Sequence, residues 1–218
     1  MWRLIVRLLA LLLTSICVVM FFCLFPPISL LFFFTHWIMM MTLLTCILVL
    51  VFAADPKIQE KKWKLAFLHL LFSVSLISSY CFLLYWILLH SSITERYQNN
   101  FWIILYMYLV HTLPSISLFL IYITTEIRVL KRQWVIMLPL HCVYDYVNYV
   151  GTKALGRPIY WFLTWNNNYS YIDCFAVCAA VTTFQCVGWI ITARYMPSNQ
   201  FGHTGAPKSP PKNEAKSH

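Results

Sequence analysis

Thr35 and His111 are the two residues of this chain whose types and setting suit nucleophilic chemistry. A threonine hydroxyl is too weak an acid to attack an ester or amide by itself, so a neutral imidazole within hydrogen-bond reach must accept its proton. His111 lies ten residues into Phe101–Ile123, FWIILYMYLVHTLPSISLFLIYI, an apolar run long enough to cross a bilayer. An ionisable side chain at that depth costs on the order of 3 kcal/mol or more, so it must face protein or trapped water and is a functional candidate.

Other polar residues compete for the same roles. His36 adjoins Thr35 but points about 100° around the helix, and His141 is a third candidate base. His141, Asp145, Asn148 and Thr152 follow at steps of four and three and form a polar stripe. Such a stripe must point into the bundle. Tyr108, His111 and Ser115 share a face in a continuous helix, and Pro114 frees the carbonyl near residue 110. These six, His36, Tyr108, Ser115, His141, Asp145 and Asn148, are the candidates for lining the site. Asp145 could orient a histidine, although pairing with His141 on its own helix is the plainer use. The competing structural reading for every one of them is a bond to the preceding turn or a neighbouring helix. The eight cysteines have no metal-binding spacing and read as packing residues, so neither a metal nor a cofactor is expected.

The elements that position these residues are membrane spans. The chain is 61% hydrophobic and only 11% charged over 218 residues. That composition predicts an all-α integral membrane protein. Apolar runs bounded by charge or turn residues occur at 4–25, 28–52, 65–89, 101–123, 134–150 and 171–191, giving a six-helix bundle over residues 1–194. Pro26-Pro27 breaks the chain between the first two spans. At about 1.5 Å per residue from the outer surface, Thr35 lies roughly 12 Å deep, His111 and His141 about 15 Å, and Asp145 about 9 Å. One layer of the membrane therefore holds the polar groups.

With the N-terminus cytosolic, thirteen of the sixteen Lys and Arg fall on the cytosolic side, and only Arg96, Lys153 and Arg157 fall opposite. This bias places both termini in the cytosol. It also accounts for the net charge of +9 without a nucleic-acid partner. Residues 195–218, rich in Pro, Gly, Ser and Lys, read as a disordered basic cytosolic tail. Asn168-Tyr169-Ser170 is a glycosylation sequon close to the sixth span. No retention signal is visible, so an endomembrane such as the endoplasmic reticulum is the default location and the plasma membrane the alternative.

Three segments resemble landmarks of one membrane family: Phe34-Thr35-His36-Trp37, His111-Thr112-Leu113-Pro114, and the loop Gly156-Arg157-Pro158-Ile159-Tyr160-Trp161-Phe162-Leu163-Thr164-Trp165. The family comprises the androgen-induced and androgen-dependent TFPI-regulating proteins together with the rolling-stone-like proteins. The order and spacing of the six spans are similar too, up to about Arg194. The resemblance implies an intramembrane threonine hydrolase that cleaves lipid esters such as fatty acid esters of hydroxy fatty acids, with Thr35 as nucleophile and His111 as base. The chain departs from the hydrolase pattern in having one residue fewer between His111 and Pro114, and Trp161 where a proline follows the tyrosine. His36 replaces an asparagine of the rolling-stone branch. The expected partner is accordingly a membrane lipid. The alternative is a non-catalytic scaffold, fusion-related factor or subunit of a membrane complex. A transporter fits less well, because the chain has no internal repeat and its polar layer does not reach the cytosolic side.

Overall fold

The first helix, α1 (Trp2–Leu24), is apolar on opposite faces, and the two faces differ in residue size. Its buried positions Ala10, Thr14, Cys17 and Phe21 recur at steps of four and three, and three of them are small. Ile5, Leu8, Leu12, Ile16 and Val19 are exposed on the other side. Small residues inward and branched aliphatics outward are the pattern of a helix solvated by lipid, since lipid gains nothing from hiding leucine and close backbone approach supplies the packing. Helix α1 is therefore built for a bilayer.

The computed structural model describes residues 1–55, 58, 61–125, 127, 134–160 and 163–166, with separate helical positions between 171 and 190. After α1 come α2 (Ser29–Phe32), α3 (Phe34–Ala54), α4 (Lys62–Ser79), α5 (Cys81–Leu84), a π-helical turn at Tyr85–Leu89, α6 (His90–Arg96), α7 (Phe101–Val110), α8 (Leu113–Thr124) and α9 (Trp134–Leu155). Among the described residues there is no strand. Trp2–Leu24, Phe34–Ala54 and the α7–α8 stretch Phe101–Thr124 are long and apolar enough to cross a membrane, with mean hydropathies of 2.6, 2.5 and 1.8. Parts of the expected sixth span, the sequon, Cys174, Cys178, the tail and the cations Lys57, Arg128, Lys131 and Arg132 lie outside the described residues.

Helices α1, α3, α4 and α8 pack together, and α9 meets α2 and α4. One buried cluster joins Ala10, Cys46, Phe72, Leu118 and Ile121 across these four helices, and a second joins Cys17, Phe21, Met39, Tyr106 and Val110 nearer the far end of α1. Arg7 donates to the carbonyl of Thr124, tying the start of α1 to the last turn of α8. That carbonyl belongs to the partly negative end of a helix, which suits a guanidinium.

Several expected helices are broken or longer than the apolar runs suggest. The run 28–52 divides at Phe33, whose extended backbone (φ −110°, ψ 123°) separates α2 from α3. The run 65–89 is interrupted after Ser78-Ser79, where both hydroxyls are buried and Ser79 bonds back to Leu76. Adjacent serines that compete for backbone carbonyls weaken a helix at that point. The helical path continues past His90 to Arg96, because lipid-scale apolarity ends before helical hydrogen bonding does. Likewise α9 does not stop at Gly151. A β-carbon there would lie 2.5 Å from Cδ1 of Phe32, so this glycine allows close packing inside a helix instead of ending one. The helix ends at Gly156, with φ of +65°.

Candidate functional site

The break between α7 and α8 is the local event that makes the site. Pro114 has no N–H for the carbonyl of Val110, and its ring crowds the preceding turn. The chain responds by leaving helical geometry at His111 (φ −93°, ψ 3°) and Thr112 (φ −126°, ψ −54°). Helix α8 then restarts with Pro114 in its first turn. His111 thus sits at a helix end and not mid-helix.

Its two ring nitrogens have different partners. Nδ1 lies 2.7 Å from the carbonyl oxygen of Met107, one turn back, so it must carry the proton and donate. Nε2 is then the bare nitrogen, and it lies 3.1 Å from Oγ1 of Thr35. The Thr35 hydroxyl donates to it. The arrangement is a hydroxyl, an imidazole fixed in one tautomer and an orienting acceptor behind it, with a backbone carbonyl where many such triads have a carboxylate.

The ring is held from the side as well. Tyr85 stacks flat on it, with centroids 3.6 Å apart and planes 5° from parallel, and Phe82 meets its edge at 5.5 Å. His111 is only 8% exposed, while Thr35 is half-buried. Neither aromatic is legible as a site residue from the sequence. The helical path is interrupted at Tyr80, where the amides of Tyr80 and Leu83 each bond three residues back, so a 3.6-residue count along α4 does not carry through to Phe82 and Tyr85.

The other candidates are dispersed. His36 is turned away from the Thr35 hydroxyl: its Nδ1 engages the carbonyl of Ser29, and its ring packs among Phe21, Phe33 and Tyr106. The break at residues 111 and 112 separates Ser115, on α8, from Tyr108 and His111, one turn apart at the end of α7. Tyr108 lies against His90 and against Trp86, the sequence neighbour of the Tyr85 that stacks on His111, each about 5.3 Å away between centroids. Ser115 falls in the first turn of α8, half-buried. His141 donates Nδ1 to the carbonyl of Met137 and packs on Phe34. Asp145 is half-buried, one turn further along α9.

Asn148 and Thr152 are buried, as a stripe pointing into the protein requires. Asn148 accepts from the indole of Trp165 at 2.9 Å and faces the Tyr144 hydroxyl at 3.3 Å. It binds the Gly156–Trp165 loop to α9 and does not approach the Thr35–His111 pair through these bonds. Tyr144 in turn donates to the carbonyl of Phe32, two residues before Phe34 opens the helix that carries Thr35. Helix α9 therefore braces the end of α2, directly before the helix that carries Thr35, by one hydroxyl and one close glycine contact.

No family model, curated protein or solved structure matches the chain.

Proposed function

We propose that the chain is an intramembrane hydrolase of lipid esters in which Thr35 is the nucleophile and His111 the general base. The observation that carries this reading is the polarity of the pair: Met107 occupies the proton-bearing nitrogen, so the lone pair of Nε2 points at the Thr35 hydroxyl 3.1 Å away. The resemblance of the segments around Thr35, His111 and Gly156 to the androgen-induced family supports the same assignment.

In this reading His111 takes the Thr35 proton as Oγ1 attacks the ester carbonyl. The tetrahedral intermediate collapses, and the imidazolium returns the proton to the departing alkoxide, leaving an acyl-threonine and an alcohol. Water, deprotonated by the same nitrogen, then releases the acid. The developing oxyanion needs donors, and the first turn of α8, two residues after His111, contains backbone N–H groups that lack a partner within the helix. Tyr85 and the Met107 carbonyl keep the ring in one orientation and one tautomer.

The substrate reaches such a site from the bilayer, which makes an amphipathic acyl ester the natural class. The charge bias supports six spans with both termini cytosolic and the pair in the outer half of an endomembrane or plasma membrane. Purified protein in micelles, supplied with a fatty acid ester of a hydroxy fatty acid, should release free acid, and Thr35→Ala should release none. Equal release by wild type and Thr35→Ala would remove the nucleophile from the account.

A further inference from the structure

The loop that follows α9 is bound back onto it by three hydrogen bonds. Lys153 Nζ donates to the carbonyl of Trp165 at 2.7 Å, the indole of Trp165 donates to Asn148, and the amide of Ile159 donates to the Thr152 hydroxyl. Trp165 is held in the left-handed region, with φ of 54°, a conformation that a bulky residue keeps only when its surroundings impose it. Between loop and helix lies a half-open pocket of about 110 Å³, lined by the buried Thr152, the half-buried Thr164 and the exposed Lys153, Gly156, Arg157 and Asn166.

The lining is unusual in its charge. It holds two cations, two hydroxyls and an amide, and no carboxylate among the described residues. Only Arg96, Lys153 and Arg157 of the sixteen Lys and Arg fall opposite the basic cytosolic segments, and two of those three meet here. Membrane orientation places cations on the other side, so it does not explain this pair. A space of about 15 Å³ suffices for one water, so this one accommodates a carboxylate or phosphate with some of its hydration. Lys153 has two N–H groups left after its bond to Trp165, and Arg157 offers the paired donors that match such oxygens.

We propose that this cavity is an anion-binding site for a carboxylate or phosphate group at the non-cytosolic membrane surface. Lys153 and Arg157 supply the charge, and the hydroxyl of Thr152, which accepts from Ile159, has its proton to donate. The group is either the headgroup of an anionic lipid or a free anion from solution. The site does not depend on Thr35 and His111 reacting with anything, so its test is independent of hydrolysis.

Native mass spectrometry of the full chain released from nanodiscs of phosphatidylcholine with a minority of phosphatidylglycerol counts retained anionic lipid. Phosphorus NMR titration with inorganic phosphate, on protein in neutral detergent, reads the free anion. The variants are Arg157→Gln, which leaves the Lys153–Trp165 bond in place, and the double variant with Lys153→Gln. If a lipid headgroup occupies the site, wild type retains one more phosphatidylglycerol than either variant. If a free anion does, wild type binds phosphate saturably and Arg157→Gln binds it about tenfold more weakly, the loss of one charge-assisted bond. Either result supports the site and names its source. Identical lipid counts in all three proteins, together with absent or unchanged phosphate binding, overturn it.

Discussion

The Tyr85 ring lies flat against the His111 imidazole, 3.6 Å between centroids, on the side chain whose ring nitrogens meet the Thr35 hydroxyl and the Met107 carbonyl. Stacking fixes the ring plane, and the carbonyl fixes rotation within it. Tyr85→Phe keeps the ring and should retain hydrolysis within about threefold, whereas Tyr85→Ala frees the imidazole to tilt and should cost about 10-fold to 100-fold in kcat, the usual effect of a misplaced catalytic group. Steady-state hydrolysis by the two variants, compared at equal folded fraction, decides this. Equal rates for Tyr85→Ala and wild type would show that the stack positions nothing.

Thr35 separates chemistry from packing. Thr35→Ser preserves the hydroxyl and should remain active, with some loss because serine's side chain is freer to rotate. Thr35→Val preserves shape but leaves Nε2 of His111 without its donor, which should abolish activity and lower stability by about 1 kcal/mol. Thermal melting in detergent alongside the hydrolysis assay measures both. An active Thr35→Val would remove the nucleophile from the account.

Gly151 reports on how α9 braces the end of α2. Alanine is a better helix former than glycine by about 1 kcal/mol, but its β-carbon would meet Phe32 at 2.5 Å and Ile159 at 2.9 Å. Overpacking of that kind costs about 1–3 kcal/mol, so Gly151→Ala should be destabilising on balance. Adding Phe32→Ala removes the obstructing ring, and the double variant should melt above the sum of the two single losses. Simple additivity would show that the contact is not what excludes a side chain at residue 151.

Asn148 is a structural clamp between α9 and Trp165. Asn148→Ala leaves the buried indole N–H of Trp165 unpaired and should cost about 1–3 kcal/mol in a melting experiment. Hydrolysis per folded molecule should change much less than in Tyr85→Ala. A loss of kcat without a loss of stability would move Asn148 into the reacting site.

The membrane character and the Thr35–His111 pairing were legible because both rest on quantities that a sequence carries directly. Apolar run length gives the three described stretches long enough to cross a membrane, and residue count from Pro27 and from Phe101 puts Thr35 and His111 at similar depth. The face each residue shows was legible only where helices are regular. Of the stripe His141, Asp145, Asn148 and Thr152, three members are buried as expected and Asp145 is half-buried, because α9 continues unbroken around it despite Pro139. Ser115 is set apart from Tyr108 and His111 because α7 and α8 do not share one helical phase, and Tyr85 was invisible because the helical path is interrupted at Tyr80, between α4 and α5, before it. Sequence spacing predicts neither event, since each depends on which backbone bonds the surrounding helices allow. The role of Met107 is the same kind of case: a backbone carbonyl orients His111, and any residue type offers one.

The central claim is that the Thr35 hydroxyl is activated by His111. Treating the purified protein with a fluorophosphonate and mapping the adduct by peptide mass spectrometry tests this most directly. The adduct should fall on Thr35 in wild type and be absent from Thr35→Ala, and it should form at least about 100-fold more slowly in His111→Ala, as loss of a general base requires. Well-folded wild-type protein that takes up no label at Thr35, or labels equally fast without His111, would contradict it.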